Sequence, residues 1–199
     1  MKRLAIALLA TVAVSPALAQ EHRELGAHEH GVGRLEIAVE GSRIAIGLEA
    51  PGADIVGFEH AASSAGDRAA LDQAIAVLEK PLELFVLPGG AQCVVTEAAA
   101  RLVDEEEHEH EAHDDKAHED KPHEGEKHAD HGHEAQHTEF RANYVLTCAS
   151  PAALTGIEFA YFKLFPNARE LEIRLISEKG AKSFEVGRDA PVLDLKGQL

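Results

Sequence analysis

The chain has 199 residues, with 35 Asp and Glu against 19 Lys and Arg, which gives a formal net charge of −16 when histidine is neutral. A protein this acidic does not bind nucleic-acid phosphates or an anionic membrane surface by electrostatic attraction, so we expect neither partner. Thirteen histidines beside two cysteines and one methionine favour imidazole and carboxylate binding of divalent metal ions such as Zn²⁺, Cu²⁺ or Ni²⁺.

Residues 1–19 have the pattern of a cleavable signal peptide. Lys2 and Arg3 precede the apolar run 4–14, and residues 17–19 (Ala-Leu-Ala) form a small-x-small cleavage site. The run is too short to span a bilayer. We therefore expect a periplasmic product that begins at residues 20–22 (Gln-Glu-His), a secondary candidate for square-planar Cu²⁺ or Ni²⁺ binding.

The mature chain reads as an α+β fold in which strands dominate. Apolar and polar residues alternate over 34–39 and 43–49, which predicts a β-hairpin. An apolar stripe then predicts a helix that is capped by Asp67 and runs to about Lys80. The other predicted strands are 82–86, 92–96, 140–148, 171–176, 183–186 and 192–195.

Residues 104–138, the histidine tract, differ from the rest of the chain in composition. Their 35 residues hold nine His, fourteen Asp or Glu and three Lys, with no Val, Ile, Leu, Phe or Tyr. Such a segment cannot build a core, so we predict a disordered loop between a first α+β half, 20–103, and a second β-rich half, 139–199. A gapless echo of 50–59 in 149–158 indicates that the halves are related by pseudo-symmetry.

The tract histidines lie two to five residues apart, so several imidazoles can share one ion. Imidazole titrates near pH 6.5 on average, and the surrounding carboxylates attract a cation. We predict several labile Zn²⁺ sites that weaken as the pH falls toward about 6. The alternative is a solvated acidic linker that binds nothing. The tract histidines are His108, His110, His113, His118, His123, His128, His131, His133 and His137.

Three histidines outside the tract are candidates for a tighter metal site. His28 and His30 precede the first predicted strand, and His60 follows residues 57–59 (Gly-Phe-Glu). Zinc needs three or four ligands, so we predict that these three histidines, joined by a tract histidine such as His137, bind one ion on the folded body. Histidines that merely lie on the surface are the alternative.

The end of the tract also matches the HExxH motif of zinc hydrolases, with His133, Glu134 and His137 in the required positions. That motif needs an amphipathic helix, whereas the flanking residues here are polar and include Gly132. We therefore expect no enzyme activity and keep the metallohydrolase as the least favoured alternative.

Cys93 and Cys148 bracket the histidine tract. In an oxidising compartment an isolated pair without C-x-x-C spacing is usually a disulfide, and metal ligation by two thiolates is the alternative. We predict a disulfide, which stabilises the fold by about 4 kcal/mol on the chain-entropy model.

These features in this order resemble the ZrgA-type periplasmic zinc uptake proteins of Gram-negative bacteria. The resemblance implies a zinc-binding accessory protein that acts beside a zinc ABC importer and its solute-binding protein. Sequestration of excess zinc, nickel or copper needs the same ligands and stays open as an alternative. The resembling segments are His28-Glu29-His30-Gly31, Gly57-Phe58-Glu59-His60, Leu84-Phe85-Val86-Leu87-Pro88, the Cys93 and Cys148 pair around the tract, and Phe165-Pro166.

Overall fold

The computed structural model describes residues 29–104 and 137–199, which form a strand-rich α+β fold as predicted. The predicted signal peptide, residues 20–22, His28 and tract residues 105–136 lie outside the described residues. In the part that is described, no helix has the length and apolar character needed to cross a membrane.

The described residues contain four α-helices, two single-turn 3-10 helices (Gly89–Ala91 and Pro151–Ala153) and nine strands. The helices are α1 (Gly52–Ile55), α2 (Ala65–Leu78), α3 (Pro81–Leu84) and α4 (Tyr161–Leu164). The strands are β1 (Val32–Glu40), β2 (Arg43–Pro51), β3 (Phe85–Val86), β4 (Cys93–Asp104), β5 (Thr138–Cys148), β6 (Gly156–Phe159), β7 (Glu170–Ser177), β8 (Gly180–Gly187) and β9 (Val192–Asp194).

The strands form two sheets, and both sheets combine strands from before and after the histidine tract. The larger sheet has the order β4-β5-β2-β1-β7-β8, and the smaller has the order β3-β6-β9. Neighbouring strands are antiparallel, except that β1 and β7 are parallel. The predicted halves therefore interleave, since β5 lies between β4 and β2. Their pseudo-symmetry stays a prediction.

One face of the six-stranded sheet forms the core, because apolar residues alternate with polar ones along its strands. In the predicted hairpin, which is confirmed, Leu35 pairs with Leu48, and each side chain is 1 % exposed. Helix α2 packs on β4, and the buried Tyr144 hydroxyl of β5 donates to the Leu78 carbonyl at 2.8 Å. This bond satisfies one of the last carbonyls of α2 and holds the helix on the sheet.

The N-cap of helix α2 is Ser64, so the prediction of Asp67 as the cap is wrong by three residues. The Ser64 hydroxyl accepts from the Asp67 N–H at 3.0 Å, and the Asp67 carboxylate accepts from the Ser64 N–H at 3.0 Å. Asp67 is thus the third helical residue of a reciprocal capping box. The helix ends at Leu78, just before the predicted end at Lys80.

The predicted strand at 82–86 is mostly helical. Pro81 stands at the first position of α3, where its fixed φ suits a helix and its missing N–H costs nothing, so only Phe85 and Val86 form a strand. The elements α1, α4 and β6 give no signal in the sequence, because four residues are too few to show a hydrophobic period. Strand β4 continues past the predicted end at Thr96 to Asp104.

The two ends of the β4–β5 pair have different roles. At one end Cys93 faces Cys148, and the two residues form the predicted disulfide. At the other end Asp104 faces Thr138. The chain therefore leaves the sheet after Asp104 and returns to it at Thr138, at the opposite end of these strands from the disulfide.

Gly52, the first residue of α1, packs against β5 because it has no side chain. A Cβ at this position would collide with the Thr138 hydroxyl and would lie 2.8 Å from the Phe58 carbonyl oxygen. We expect Gly52→Ala to lower the free energy of unfolding by about 1–3 kcal/mol in urea denaturation, because the loop that follows must shift. Gly89→Ala is the matched control, since no atom lies within 4 Å of its added Cβ. Equal stability of the two variants would contradict this account.

Candidate metal centre

Three side chains that suit a metal ion converge at one end of the six-stranded sheet. They are His30, Glu59 and His137, and one ligand atom from each lies within 4.8 Å of the other two. We refer to these three residues as the metal cluster. His30 lies just before β1 and His137 just before β5, while Glu59 follows α1 at the end of β2. Because β2 runs antiparallel to β1 and β5, the three positions meet at the same end of the sheet.

The Glu59 carboxylate lies between the two imidazoles. Its Oε1 is 3.0 Å from His30 Nε2, and its Oε2 is 2.8 Å from His137 Nδ1. The Glu59 side chain is 13 % exposed, whereas those of His30 and His137 are 61 % and 51 % exposed. The cluster is therefore buried on the carboxylate side and open to solvent on the imidazole side.

Two imidazole nitrogens and one carboxylate oxygen form a ligand set that zinc commonly takes in proteins. Tetrahedral zinc, with bonds of about 2.0–2.1 Å, separates its ligand atoms by about 3.3 Å. The three ligand atoms lie within 4.8 Å of one another, so modest side-chain rotations would bring them to this separation around one ion. The fourth position would stay available to water or an incoming ligand.

The pKa of Glu59 is lowered although the group is partly buried. Desolvation raises it, but the hydrogen bonds to His137 and His30 and the electrostatic interaction with both imidazoles outweigh the desolvation. The carboxylate is thus ionised at neutral pH and can bind a cation without first losing a proton.

The loops that bear His30 and Glu59 are held by residues that precede β7. The Arg169 backbone N–H donates to the Gly31 carbonyl at 2.8 Å, and the Arg169 guanidinium donates to the His30 carbonyl. The Asn167 side chain donates to the Ala53 carbonyl of α1 at 3.0 Å. One connection between α4 and β7 therefore holds both the backbone at His30 and the helix that precedes Glu59.

Asp54 of α1 joins the same two loops from inside the protein. It is 2 % exposed, and its Oδ1 accepts the Gly31 N–H at 2.7 Å. Its Oδ2 has no hydrogen-bond partner within the described segments. Burial raises the pKa of Asp54, although the Gly31 hydrogen bond and the nearby His30 and Arg169 act against that rise. Asp54 therefore orders the backbone next to His30 at an electrostatic cost.

This cost predicts how Asp54 variants respond to pH. Because the folded-state pKa is raised, the folded protein holds the Asp54 proton more tightly than the unfolded chain, so ionisation of Asp54 lowers stability as the pH rises above about 4. Asp54→Asn keeps an acceptor for Gly31 without the charge and should be at least as stable as the wild type at pH 7.

Asp54→Ala instead leaves the Gly31 N–H unsatisfied and should be about 1–2 kcal/mol less stable than Asp54→Asn. Urea unfolding of the three proteins over a pH series measures both effects. If the wild type gained stability relative to Asp54→Asn as the pH rose, the assigned direction of the shift would be wrong.

The structure brings together two of the histidines predicted for the tighter metal site, and it adds Glu59. His30 and His137 meet in the metal cluster, whereas His60 is not part of it: its ring stacks on Phe58 at a centroid distance of 4.6 Å, and its Nδ1 lies 3.0 Å from the Ala61 carbonyl oxygen. Glu59 was missed, although it stands within the Gly57-Phe58-Glu59-His60 segment. The only sign of Glu59 in the sequence was that its carboxylate stands directly before His60.

Other predicted ligands cannot be placed. His28 and the tract histidines from His108 to His133 lie outside the described residues, as does Glu134. His137, the second histidine of the HExxH match, lies directly before β5 and not in a helix. Its described position therefore gives no support to the helical hydrolase motif.

A comparison with protein-family models matches residues 27–195 to the model described as ZrgA family zinc uptake protein. This match covers all three residues of the metal cluster and both cysteines. No curated protein matches the sequence.

Proposed function

Because this chain belongs to the ZrgA family of zinc uptake proteins, we propose that it is a periplasmic carrier that binds Zn²⁺ at His30, Glu59 and His137. Zinc is its cargo, and no catalytic step is involved. The histidine tract captures further ions on labile sites, and bound zinc then passes toward a zinc ABC import system.

The observation that carries this proposal is the convergence of two imidazoles and one carboxylate from three separate loops. Glu59 supplies a negative charge that the protein partly shields from water, and both histidines remain more than half exposed. Three protein ligands leave one coordination position open. An ion held in this way can be taken by an incoming ligand, as transfer to another protein requires.

The position of His137 supports a connection between the tract and the metal cluster. His137 is the last histidine of the tract and also a member of the cluster, directly before β5. Asp104 pairs with Thr138, so the first tract residue also lies at this end of the sheet. Ions captured by the tract would therefore be passed to the cluster through His137, which belongs to both.

A zinc titration of three proteins tests the two classes of site. The wild type should bind one ion tightly and several weakly, a variant that lacks residues 105–136 should keep the tight ion, and His30→Ala should keep the weak ions. The deletion replaces residues 105–136 with a short Gly-Ser linker, because Asp104 and Thr138 face each other and His137 alone is too short to close the turn between them. Unchanged stoichiometry after the deletion would exclude the tract as a reservoir, and an unchanged tight site in His30→Ala would exclude the cluster.

Transfer to a partner needs a kinetic test. The zinc-loaded protein is mixed with the zinc-free solute-binding protein of a zinc ABC importer, and the rate of zinc transfer is compared with the rate of zinc loss to a large excess of chelator. We expect transfer to the binding protein to be faster, because ligand exchange at the open position replaces dissociation. Equal rates would argue for passive storage instead.

A further inference from the structure

Strand β4 presents a long edge that pairs with no strand of the described protein. It is the first strand of the order β4-β5-β2-β1-β7-β8 and has 12 residues. A register shift between Val95 and Glu97 interrupts its pairing with β5, and the part from Glu97 to Asp104 is regular. An edge of this length exposes a row of backbone donors and acceptors on which another strand can pair.

Two charged residues of this regular part, Glu97 and Arg101, make no ion pair within the described protein. Glu97 and Arg101 are both exposed and lie on the same face of the strand, four residues apart, and neither makes an ion pair with any described residue. Arg101 instead faces Arg141 of β5, a like charge. The acidic partners of Arg141 are Glu139 at 2.5 Å and Glu49 at 3.8 Å.

We propose that β4 is a self-association edge that pairs antiparallel with β4 of a second copy of this chain, centred on Ala99. A two-fold axis perpendicular to a continuous sheet requires that directly opposed residues lie on the same face. Centred on Ala99, it places Glu97 opposite Arg101 of the partner subunit, and Arg101 opposite Glu97 of the partner subunit. Each copy thus forms two ion pairs with the other copy, one at each of these positions.

The opposite edge of the same sheet does not offer this complementarity. Strand β8 carries Lys182 and Glu185 three residues apart, so their side chains lie on opposite faces. A two-fold pairing of β8 therefore cannot place Lys182 of one copy opposite Glu185 of the other. An axis through Lys182 would bring two lysines together. Charge complementarity therefore selects β4 rather than β8.

The same geometry keeps the two positions at which β4 ends apart. With the axis at Ala99, the two Asp104 positions are about 34 Å apart at 3.4 Å per residue. This distance exceeds the screening length of about 8 Å at physiological ionic strength, so repulsion between charges at these two positions is weak. The metal clusters lie at opposite ends of the paired sheet and stay open.

Charge reversal tests this proposal. The purified chain is examined by sedimentation velocity over a concentration series, with a chelator present so that zinc cannot crosslink histidines. We expect a weak monomer–dimer equilibrium, because one strand pair buries less than a standard interface. Glu97→Arg and Arg101→Glu should each weaken association by about tenfold, because two attractive pairs become repulsive. The double variant Glu97→Arg with Arg101→Glu should recover it.

A wild type that stays monomeric at every concentration, or single reversals that associate as tightly as the wild type, would overturn the proposal.

A second measurement, disulfide crosslinking, does not depend on charge. Ala99→Cys places two thiols opposite each other at the axis, so mild oxidation should give a covalent dimer. Ser183→Cys, on the exposed edge strand β8, is the control and should crosslink much more slowly. Equal rates for the two variants would also overturn the proposal.

Discussion

Glu59→Gln should weaken zinc binding at the metal cluster by at least about a hundredfold, because a neutral amide oxygen replaces one of three protein ligands. Glutamine has nearly the same shape and still offers an oxygen acceptor, so the loop should keep its position. The carboxylate is also the only anion that lies directly between His30 and His137 in the described site. Its replacement therefore removes both a ligand and the charge that attracts the cation.

The measurement is a competition titration against a chromophoric chelator at less than one zinc per chain, where the tightest site fills first. His60→Gln is the matched control, because His60 is the next residue and its ring stacks on Phe58 outside the cluster. The control should bind like the wild type. If Glu59→Gln retained the affinity of the wild type for the first zinc ion, the tight site would lie elsewhere.

Replacing both cysteines, Cys93→Ala with Cys148→Ala, should lower the free energy of unfolding by about 4 kcal/mol on the chain-entropy model. The bridge joins residues 55 positions apart, so its loss frees a long loop in the unfolded chain. This loss is a large share of the stability of a domain of ordinary size, for which about 5–15 kcal/mol is typical. Urea denaturation gives the value, and a thiol reductant should bring the wild type to the same midpoint.

Zinc affinity should respond differently from stability in this variant. The disulfide lies at the end of the β4–β5 pair that is opposite Asp104 and Thr138, and the metal cluster lies beside Thr138. The folded double variant should therefore bind its first zinc ion as the wild type does. An unchanged unfolding midpoint would contradict the stabilising role, and a strong loss of zinc affinity would contradict the separation of the two features.

The sequence predicts the strands in which apolar and polar residues alternate over many positions, and it misses the short elements. The hairpin at 34–49 and the strand at 140–148 carry several apolar residues at alternate positions, which a buried sheet face requires. Residues 81–84 fold as a helical turn because proline favours its first position, a local effect that overrides β-propensity. The parallel pairing of β1 with β7 depends on contacts between distant segments, and no local pattern encodes it.

The candidate site was predictable in its histidines and not in its geometry. His30 and His137 stand out because histidine is a common metal ligand. Glu59 is one of 35 acidic residues, and only the antiparallel course of β2 between β1 and β5 brings it to the two imidazoles. His60 looked equivalent to His30 in sequence, but its ring packs against Phe58. Which of two adjacent side chains faces a site is decided by the loop backbone.

The pairing of Asp104 with Thr138 makes the host fold tolerant of changes in the number of repeats between them. Closing a flexible connection costs free energy that grows only with the logarithm of its length, about 0.6 kcal/mol for each doubling. Five-residue units such as 112–116 and 117–121 can be gained or lost in the gene without disturbing the sheet. The number of histidines available for the proposed capture of zinc can therefore change by slippage of repeats while the folded scaffold stays constant.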